Sequence, residues 1–342
     1  MVNEINLKEY YAKNKYMYMV RIELTTKCNY RCQHCFIEDY SCEGLTTKEI
    51  FKLLDNLRKF GVFVVEFTGG EVFLRKDFLD ILRYARKLKF YVSVLSNISL
   101  LTDDIIAELK TLSLDCISTT LFSMDDNIND SITNGVNTAT RTINNLIKLS
   151  EAGIRIQVKT VLMKNNADEY KVISDFCDRY GLDYLATEGI FPSVKGNKDP
   201  RSLVISDSQL SDCIEYIDKR RYGGIYKEKK NADKPICCEL NYSLFIDAHG
   251  DCYPCNLWYK KLGNIKEQSY KISALWNNPF LNSVRRLRWK NLPKCSKCEN
   301  SEYCVRCTGI VEAVKGDAML WDEYSCRAAR IRRKIDNSSH KG

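Results

Sequence analysis

Two periods alternate along the first half of the chain. Short runs rich in β-branched and aromatic residues occupy Val20–Leu24, Val62–Phe67, Tyr91–Leu95, Cys116–Phe122, Ile154–Leu162 and Asp183–Thr187, and each reads as a buried strand. Between them, apolar residues recur every three or four positions, as on one face of a helix. Thr47–Phe60 aligns Ile50, Leu53, Leu54 and Leu57 and opens with Thr46 and Glu49, a capping-box pair. Phe78–Leu88 follows Asp77 and aligns Phe78, Leu79, Leu82 and Ala85. Thr102–Leu112 begins with Thr102, Asp103 and Asp104, which suit the positive end of a helix. Ala139–Ala152 runs into Gly153 and Asp168–Tyr180 into Gly181, both helix-ending signals. Six such repeats predict an α/β fold: a parallel sheet flanked by helices, closed only part-way into a TIM-like (β/α)6 barrel. In these sheets the chemistry collects in the loops after the C-terminal ends of the strands.

The pattern changes after Gly189. Phe191–Arg201 is a loop rich in Pro, Gly, Lys and Asp, Asp207–Arg220 reads as one more helix, and Arg221–Lys234 as a polar connector. From Cys237 onward nine cysteines fall within 90 residues with little regular periodicity, which predicts a region organised by metal rather than by a large apolar core. The expected division is an N-terminal extension over 1–19, a barrel over 20–220, a connector over 221–236, and a small cysteine-rich domain with a terminal helix over 237–342.

Composition sharpens the second part of this picture. Sixteen cysteines in 342 residues are many for a chain large enough to fold around an ordinary core. Met1–Tyr18 has no apolar block of the secretory kind, and no apolar run approaches the length of a membrane span. A cytoplasmic protein is expected, with its cysteines serving as metal ligands or catalytic thiols rather than disulfides. The net charge of +8 owes much to Arg327, Arg330, Arg332, Arg333 and Lys334. We read that run as the solvated face of a final helix, not a nucleic-acid footprint.

The first strand is followed by Cys28, Cys32 and Cys35 in C-x3-C-x2-C spacing. Three thiolates on one short loop can hold three corners of an iron–sulfur cube and leave one iron open. A Cys3His zinc site through His34 is the alternative, although His34 lies between two of the ligands, which strains simultaneous ligation. This loop resembles the signature of the radical S-adenosylmethionine (SAM) enzymes. The resemblance continues with Thr68–Gly69–Gly70–Glu71 after the second strand, Ser96–Asn97 after the third and Thr119–Asp125 after the fourth. It implies that Cys28, Cys32 and Cys35 bind a 4Fe–4S cluster and that Gly69 and Gly70 let the backbone approach the methionyl part of SAM. Glu71 or neighbouring carbonyls would meet the SAM amino group. By the same resemblance Ser96, Asn97, Ser123 and Lys159 are candidate SAM contacts, and His34 would pack against adenine. By the same resemblance, one electron cleaves SAM to methionine and a 5′-deoxyadenosyl radical, which abstracts a hydrogen atom from an unactivated C–H bond.

The distal array runs Cys237–Cys238, Cys252, Gly250-x4-Cys255, then Cys295-x2-Cys298-x5-Cys304-x2-Cys307, then Cys326. It resembles the SPASM extension of radical SAM peptide-modifying enzymes, with one departure: the last spacing is x2 where that pattern more often has x3. The resemblance implies two auxiliary 4Fe–4S clusters. One would use Cys295, Cys298, Cys304 and Cys326. The other would use Cys238, Cys255, Cys307 and a fourth ligand from Cys237 or Cys252. Nine cysteines compete for eight places, so one thiol is left over. Cys116, Cys177 and Cys213 are expected in the core, and Cys42 stands near the active loop.

The implied activity is that of a maturase that modifies a peptide or protein by crosslinking, epimerisation or oxidation, served by a low-potential donor such as flavodoxin or ferredoxin. About 19 residues precede the first strand, too few for a leader-binding domain of the winged-helix kind. Direct substrate binding or a separate leader-peptide-binding protein is therefore expected. The alternatives are a small-molecule SPASM dehydrogenase, a sulfatase-maturing enzyme, or a non-catalytic zinc or iron–sulfur protein.

Overall fold

The computed structural model describes residues 6–193 and 199–339; part of the loop expected over 191–201 therefore lies outside the described residues. After a short helix α1 (Leu7–Asn14), β1 (Met19–Glu23), β2 (Val64–Thr68), β3 (Tyr91–Leu95), β4 (Cys116–Thr120), β5 (Ile156–Val161) and β6 (Asp183–Thr187) form a parallel series in sequence order. The intervening helices are α2 (Thr47–Phe60), α3 (Phe78–Lys87), α4 (Asp103–Leu112), α5 (Asp126–Thr133), α6 (Thr138–Glu151) and α7 (Tyr170–Arg179), with α8 (Asp207–Tyr222) after β6. The six expected strands and their helices are present, shifted by one or two residues at several ends.

The caps follow local chemistry. Thr46 and Glu49 form the expected capping box on α2. Asp77 precedes α3 but does not cap it. Its carboxylate is taken instead by Arg75 Nη2 at 2.7 Å and Thr47 Oγ1 at 2.6 Å. The helix α5 is not visible in the apolar pattern because its buried face is largely polar: Asn129 and Thr133 are buried beside Ile132. Asp125 starts it, accepting a hydrogen bond from Asn127 N at 2.6 Å.

The cysteine-rich region departs most from expectation. Its first strand, β7 (Ser243–Ile246), pairs in parallel with β1, and an antiparallel extension, β8 (Asp251–Tyr253) and β9 (Gly263–Asn264), follows. The sheet therefore has nine strands in the order β6-β5-β4-β3-β2-β1-β7-β8-β9. The strand β7 has no alternation to read, since all four residues are buried. The region is not short of core either. Trp258, Ile265, Leu275, Trp276 and Leu281 belong to the same apolar cluster as Val20, Ile22 and Leu57 of the barrel, each such side chain contributing roughly 1.5–3 kcal/mol by its burial. Short helices α9 (Ser273–Trp276), α10 (Pro279–Arg285) and α11 (Thr308–Lys315) lead to the terminal helix α12 (Glu323–Ser339).

The helix α12 is not the fully solvated rod its charges suggest. Arg332 is buried against α8, with Nε 2.7 Å and Nη2 3.2 Å from the Asp218 carboxylate. Asp218 also accepts from Tyr226 N at 3.0 Å, so this one carboxylate ties α8, the connector and α12 together. No helix among the described residues is long and apolar enough to cross a membrane. Replacing one partner of a buried pair strands the other charge, at about 3–5 kcal/mol. Asp218→Ala should therefore lower stability in urea by about that amount and open the C-terminal helix to limited proteolysis. Unchanged stability would mean that Arg332 finds water instead.

Candidate active site

The loop after β1 is seated by backbone contacts with the turn after β2. Gly70 N donates to Thr25 O at 2.8 Å and Glu71 N to Lys27 O at 2.7 Å. A Cβ on Gly69 would lie 2.6 Å from Thr25 O, and one on Gly70 2.3 Å from Lys27 O. The glycines are thus required by the entry to the cysteine loop itself. Thr25 Oγ1 donates to Cys42 O at 2.7 Å and Cys42 N to Thr26 Oγ1 at 3.0 Å, closing the base of the loop. Arg75 Nη1 donates to Leu24 O, Glu43 O and Leu45 O at 2.7–3.0 Å, gathering the two ends of the loop. On the far side Arg31 N and Gln33 N each donate at 2.9 Å to Thr133 O and Ile132 O at the end of α5.

Held this way, Cys28, Cys32 and Cys35 are half-buried and line one cavity of about 450 Å³. Gly69, Gly70, His34, Ser96, Asn97 and Lys159 share its walls, so of the expected cofactor contacts only Glu71 and Ser123 are missing from the lining. His34 stands edge-on to Phe122, with ring centroids 5.1 Å apart. Tyr30 N donates to Cys28 Sγ at 3.3 Å, which favours a thiolate, while burial pushes that thiol up to about 11. Among the described residues no three His, Cys, Asp or Glu side chains are arranged around a single metal ion. A cluster makes a different demand, since each thiolate binds its own iron. The three thiols, the amide on Cys28 and a cavity of ligand size fit a 4Fe–4S cluster with SAM beside it.

The structure gives Glu71 and Ser123 other work. Glu71 is fully buried and does not reach the cavity. Its carboxylate accepts from Ser96 Oγ at 2.7 Å, Asn97 N at 2.7 Å and Phe73 N at 3.0 Å, and so braces the end of β3. Burial raises its pKa. Ser123 is also fully buried, donating to Glu169 Oε2 at 2.7 Å. The fourth strand meets the cavity through Ser118, Thr119 and Thr120, and the loop after it through Phe122.

Residues not singled out from the sequence complete the site. Arg21 and Glu23 alternate with Val20 and Ile22 on β1, so the apolar pair faces the core and the charged pair lines the cavity. Arg21 is bound by Glu66 and Asn256. Glu23 is 8% exposed, accepts from Ala248 N at 3.1 Å and is pushed up to about 7, mainly by burial. Lys159 is lowered, again by burial. Phe245, Asn256 and Leu257 bring the C-terminal region into the wall. The only sequence signal for Arg21 and Glu23 is a pair of charges alternating with apolar residues in a strand otherwise expected to be buried.

A second cavity of about 180 Å³ gathers Cys295, Cys298, Cys304 and Cys326, walled by Trp289 and Trp321. Lys294 lies 3.5 Å above the Trp321 ring. Cys177 and Cys213 are buried in apolar clusters, as expected, and Cys116 is only half-buried.

Comparison with known proteins accords with this geometry. The Radical SAM superfamily model matches residues 22–177, and the SPASM model, an iron–sulfur cluster-binding domain, matches 237–299. The chain is 28% identical to the antilisterial bacteriocin subtilosin biosynthesis protein AlbA of Bacillus subtilis over 83% of its own length and 66% of AlbA's. It is 33% identical to a probable GTP 3′,8-cyclase of Thermoplasma volcanium, over 76% of this chain and 89% of that one. Identity to the PqqA peptide cyclase of Bradyrhizobium diazoefficiens is 24%, over 89% and 84%. The fold is shared with Streptococcus suis SuiB, in its crystal structure bound to the precursor peptide SuiA, with a TM-score of 0.69 at 17% identity over 93% of this chain and 79% of that one. A three-cysteine loop seated on a double-glycine turn, at the strand ends of a partial barrel whose sheet runs on into a cysteine-rich module, places the chain in the radical SAM superfamily, as an enzyme of 4Fe–4S clusters and S-adenosylmethionine that carries a SPASM domain.

Proposed function

We propose that this enzyme modifies a peptide or protein, removing a hydrogen atom from an unactivated C–H bond of a residue held in the barrel to install a crosslink, an epimerised centre or an oxidised side chain. The observation that carries the reading is the composition of one cavity: the three loop cysteines, the Gly69–Gly70 turn, and Phe245, Asn256 and Leu257 of the C-terminal region all face it. A site walled partly by the SPASM domain suits a substrate that enters between the two regions. The relatives AlbA and the PqqA peptide cyclase support the same substrate class.

Cys28, Cys32 and Cys35 would hold the cluster, with Gly69, Gly70, Ser96, Asn97, His34 and Lys159 around SAM. Cys295, Cys298, Cys304 and Cys326 would hold one auxiliary cluster. When bound, cluster and SAM supply one-electron chemistry that no side chain can provide. The protein's own part is placement and exclusion of water. Phe36, Ile37 and Phe191 form apolar wall, and Arg21, held by Glu66 and Asn256, fixes a positive charge beside it. Glu23, pushed up to about 7 by burial at the cavity wall, is a carboxyl that could exchange a proton with substrate near neutral pH. The electron comes from a flavodoxin or ferredoxin, and leader recognition falls to the cavity rim or to a separate leader-binding protein. Sixteen cysteines, none in a disulfide, suit the reducing cytoplasm.

Anaerobically reconstituted protein should hold about 12 irons, for three 4Fe–4S clusters, and should cleave SAM only slowly without its cognate peptide. Replacing Cys28, Cys32 and Cys35 together by Ala should remove about a third of the iron and all SAM cleavage. Retained cleavage would refute the catalytic assignment. Glu23 gives a separate test. Its pKa is raised on folding from 4.5 to about 7, so the folded state binds the extra proton, and its stability falls as pH rises through that window. The difference in unfolding free energy between wild type and Glu23→Gln should change by about 3 kcal/mol between pH 4.5 and 7.5, at about 1.4 kcal/mol per pKa unit. A pH-independent difference would show that Glu23 ionises freely.

A further inference from the structure

Four cysteines stand outside the catalytic loop and the distal array: Cys42, Cys116, Cys177 and Cys213. Cys177 and Cys213 are fully buried in apolar clusters. Cys116 is half-buried on β4, and its thiol donates to Ile117 O at 3.5 Å. Cys42 is placed differently. It is half-buried where the catalytic loop returns to the barrel, and its Sγ lies 3.6 Å from Nδ1 of His249, in the turn between β7 and β8. The chain has only three histidines, and the fold brings this one to a thiol 207 residues away. Main chain holds both partners. Thr26 N and Thr25 Oγ1 donate to Cys42 O at 3.0 and 2.7 Å, and Cys42 N donates to Thr26 Oγ1 at 3.0 Å. His249 N donates to Asp247 Oδ1 at 2.9 Å, and Asn264 Nδ2 donates to His249 O at 3.2 Å.

A thiol beside a base is the arrangement that activates a weak nucleophile. Cys42 needs that help. Burial raises its pKa, the Gly44 amide lowers it, and Asp247, Glu23 and Asp39 raise it further. Glu43, next in the chain, is paired with Lys27. The carboxylates around the thiol repel anions, so the electrophile that suits it is small and uncharged. His249 is exposed, which leaves the pair open to such a molecule. We propose that Cys42 and His249 form a second reactive centre, a modification site at which the thiol is oxidised by a peroxide. His249 Nδ1 takes the thiol proton, and the sulfur attacks one peroxide oxygen. An S–O bond forms as the O–O bond breaks. The sulfur gives up two electrons, and the second oxygen leaves with them and with the proton from His249; for hydrogen peroxide it leaves as water. The product is a sulfenic acid, which thiols can reduce again. Cys42 closes the base of the loop that carries Cys28, Cys32 and Cys35, so the modification falls beside the catalytic loop without consuming one of its three cysteines.

The test uses the full chain, reconstituted anaerobically. Alkylation by iodoacetamide near neutral pH, followed cysteine by cysteine by peptide mass spectrometry, should be about tenfold faster at Cys42 than at Cys116. His249→Ala should slow Cys42 by about tenfold and leave Cys116 unchanged. His249→Gln, which keeps a polar neighbour but no base, should slow Cys42 as much. One equivalent of hydrogen peroxide in the presence of dimedone should then label Cys42 in the wild type and not in either variant. Equal Cys42 rates in the wild type and both variants, at unchanged iron content, would overturn the pair. Fast alkylation of Cys42 without a dimedone adduct would overturn the peroxide as its oxidant.

Discussion

Two backbone carbonyls set the terms for the catalytic end of the molecule. Thr25 O and Lys27 O occupy the space that side chains at positions 69 and 70 would need, and they accept the amides of Gly70 and Glu71 in return. This contact joins the loop after β1 to the loop after β2 by main chain alone, with no side chain between them to relax. The cysteine loop then has a fixed point of departure. The Thr25, Thr26 and Cys42 contacts close its base, and Arg75 gathers the carbonyls at its two ends. The end of α5 supports its middle. Chain spacing makes three thiols neighbours, but this scaffold directs them into one cavity.

The barrel was legible because its elements carry strong periodicity. Thr47–Phe60 has both a clean apolar face and a capping box, and its observed bounds match. Three kinds of element were hidden. The helix α5 buries Asn129 and Thr133 beside Ile132, so its inner face reads as polar. The strand β7 is buried throughout and four residues long, too short for any period to show. Arg332 reads as one more surface charge until Asp218, on a distant helix, is seen to meet it. At the site, the loop cysteines, the glycines, Ser96, Asn97, His34 and Lys159, singled out from motif and strand-end position, line one cavity. Arg21 and Glu23 were not, because the face of a strand that turns toward a cavity looks, in sequence, like the face that turns toward solvent. Glu71 and Ser123 were candidate SAM contacts by motif position but lie outside the cavity lining, because position in a motif does not reveal which way a side chain turns.

The two buried glutamates show how surroundings divide similar groups. Both are raised by burial. Glu71 is met by a hydroxyl and two amides and serves as a rigid bracket for the end of β3. Glu23 accepts from Ala248 N and opens onto the cavity. A carboxyl with spare acceptor capacity at a cavity wall can respond to what enters; one whose oxygens are engaged on all sides cannot.

The pairing of β1 with β7 also bears on how the protein is made. The strand β1 lies in the middle of the finished sheet, yet the partner on one of its sides is encoded some two-thirds of the way along the chain. During synthesis, at roughly 5–20 residues per second, that edge stays open for on the order of tens of seconds. An unpaired edge backed by Val20 and Ile22 is a template for strand addition from another chain. Arg21 and Glu23 stand on that same strand, and charges on an edge discourage such pairing. The residues that later line the cavity can therefore keep the nascent barrel from its neighbours until the cysteine-rich module arrives to cover it.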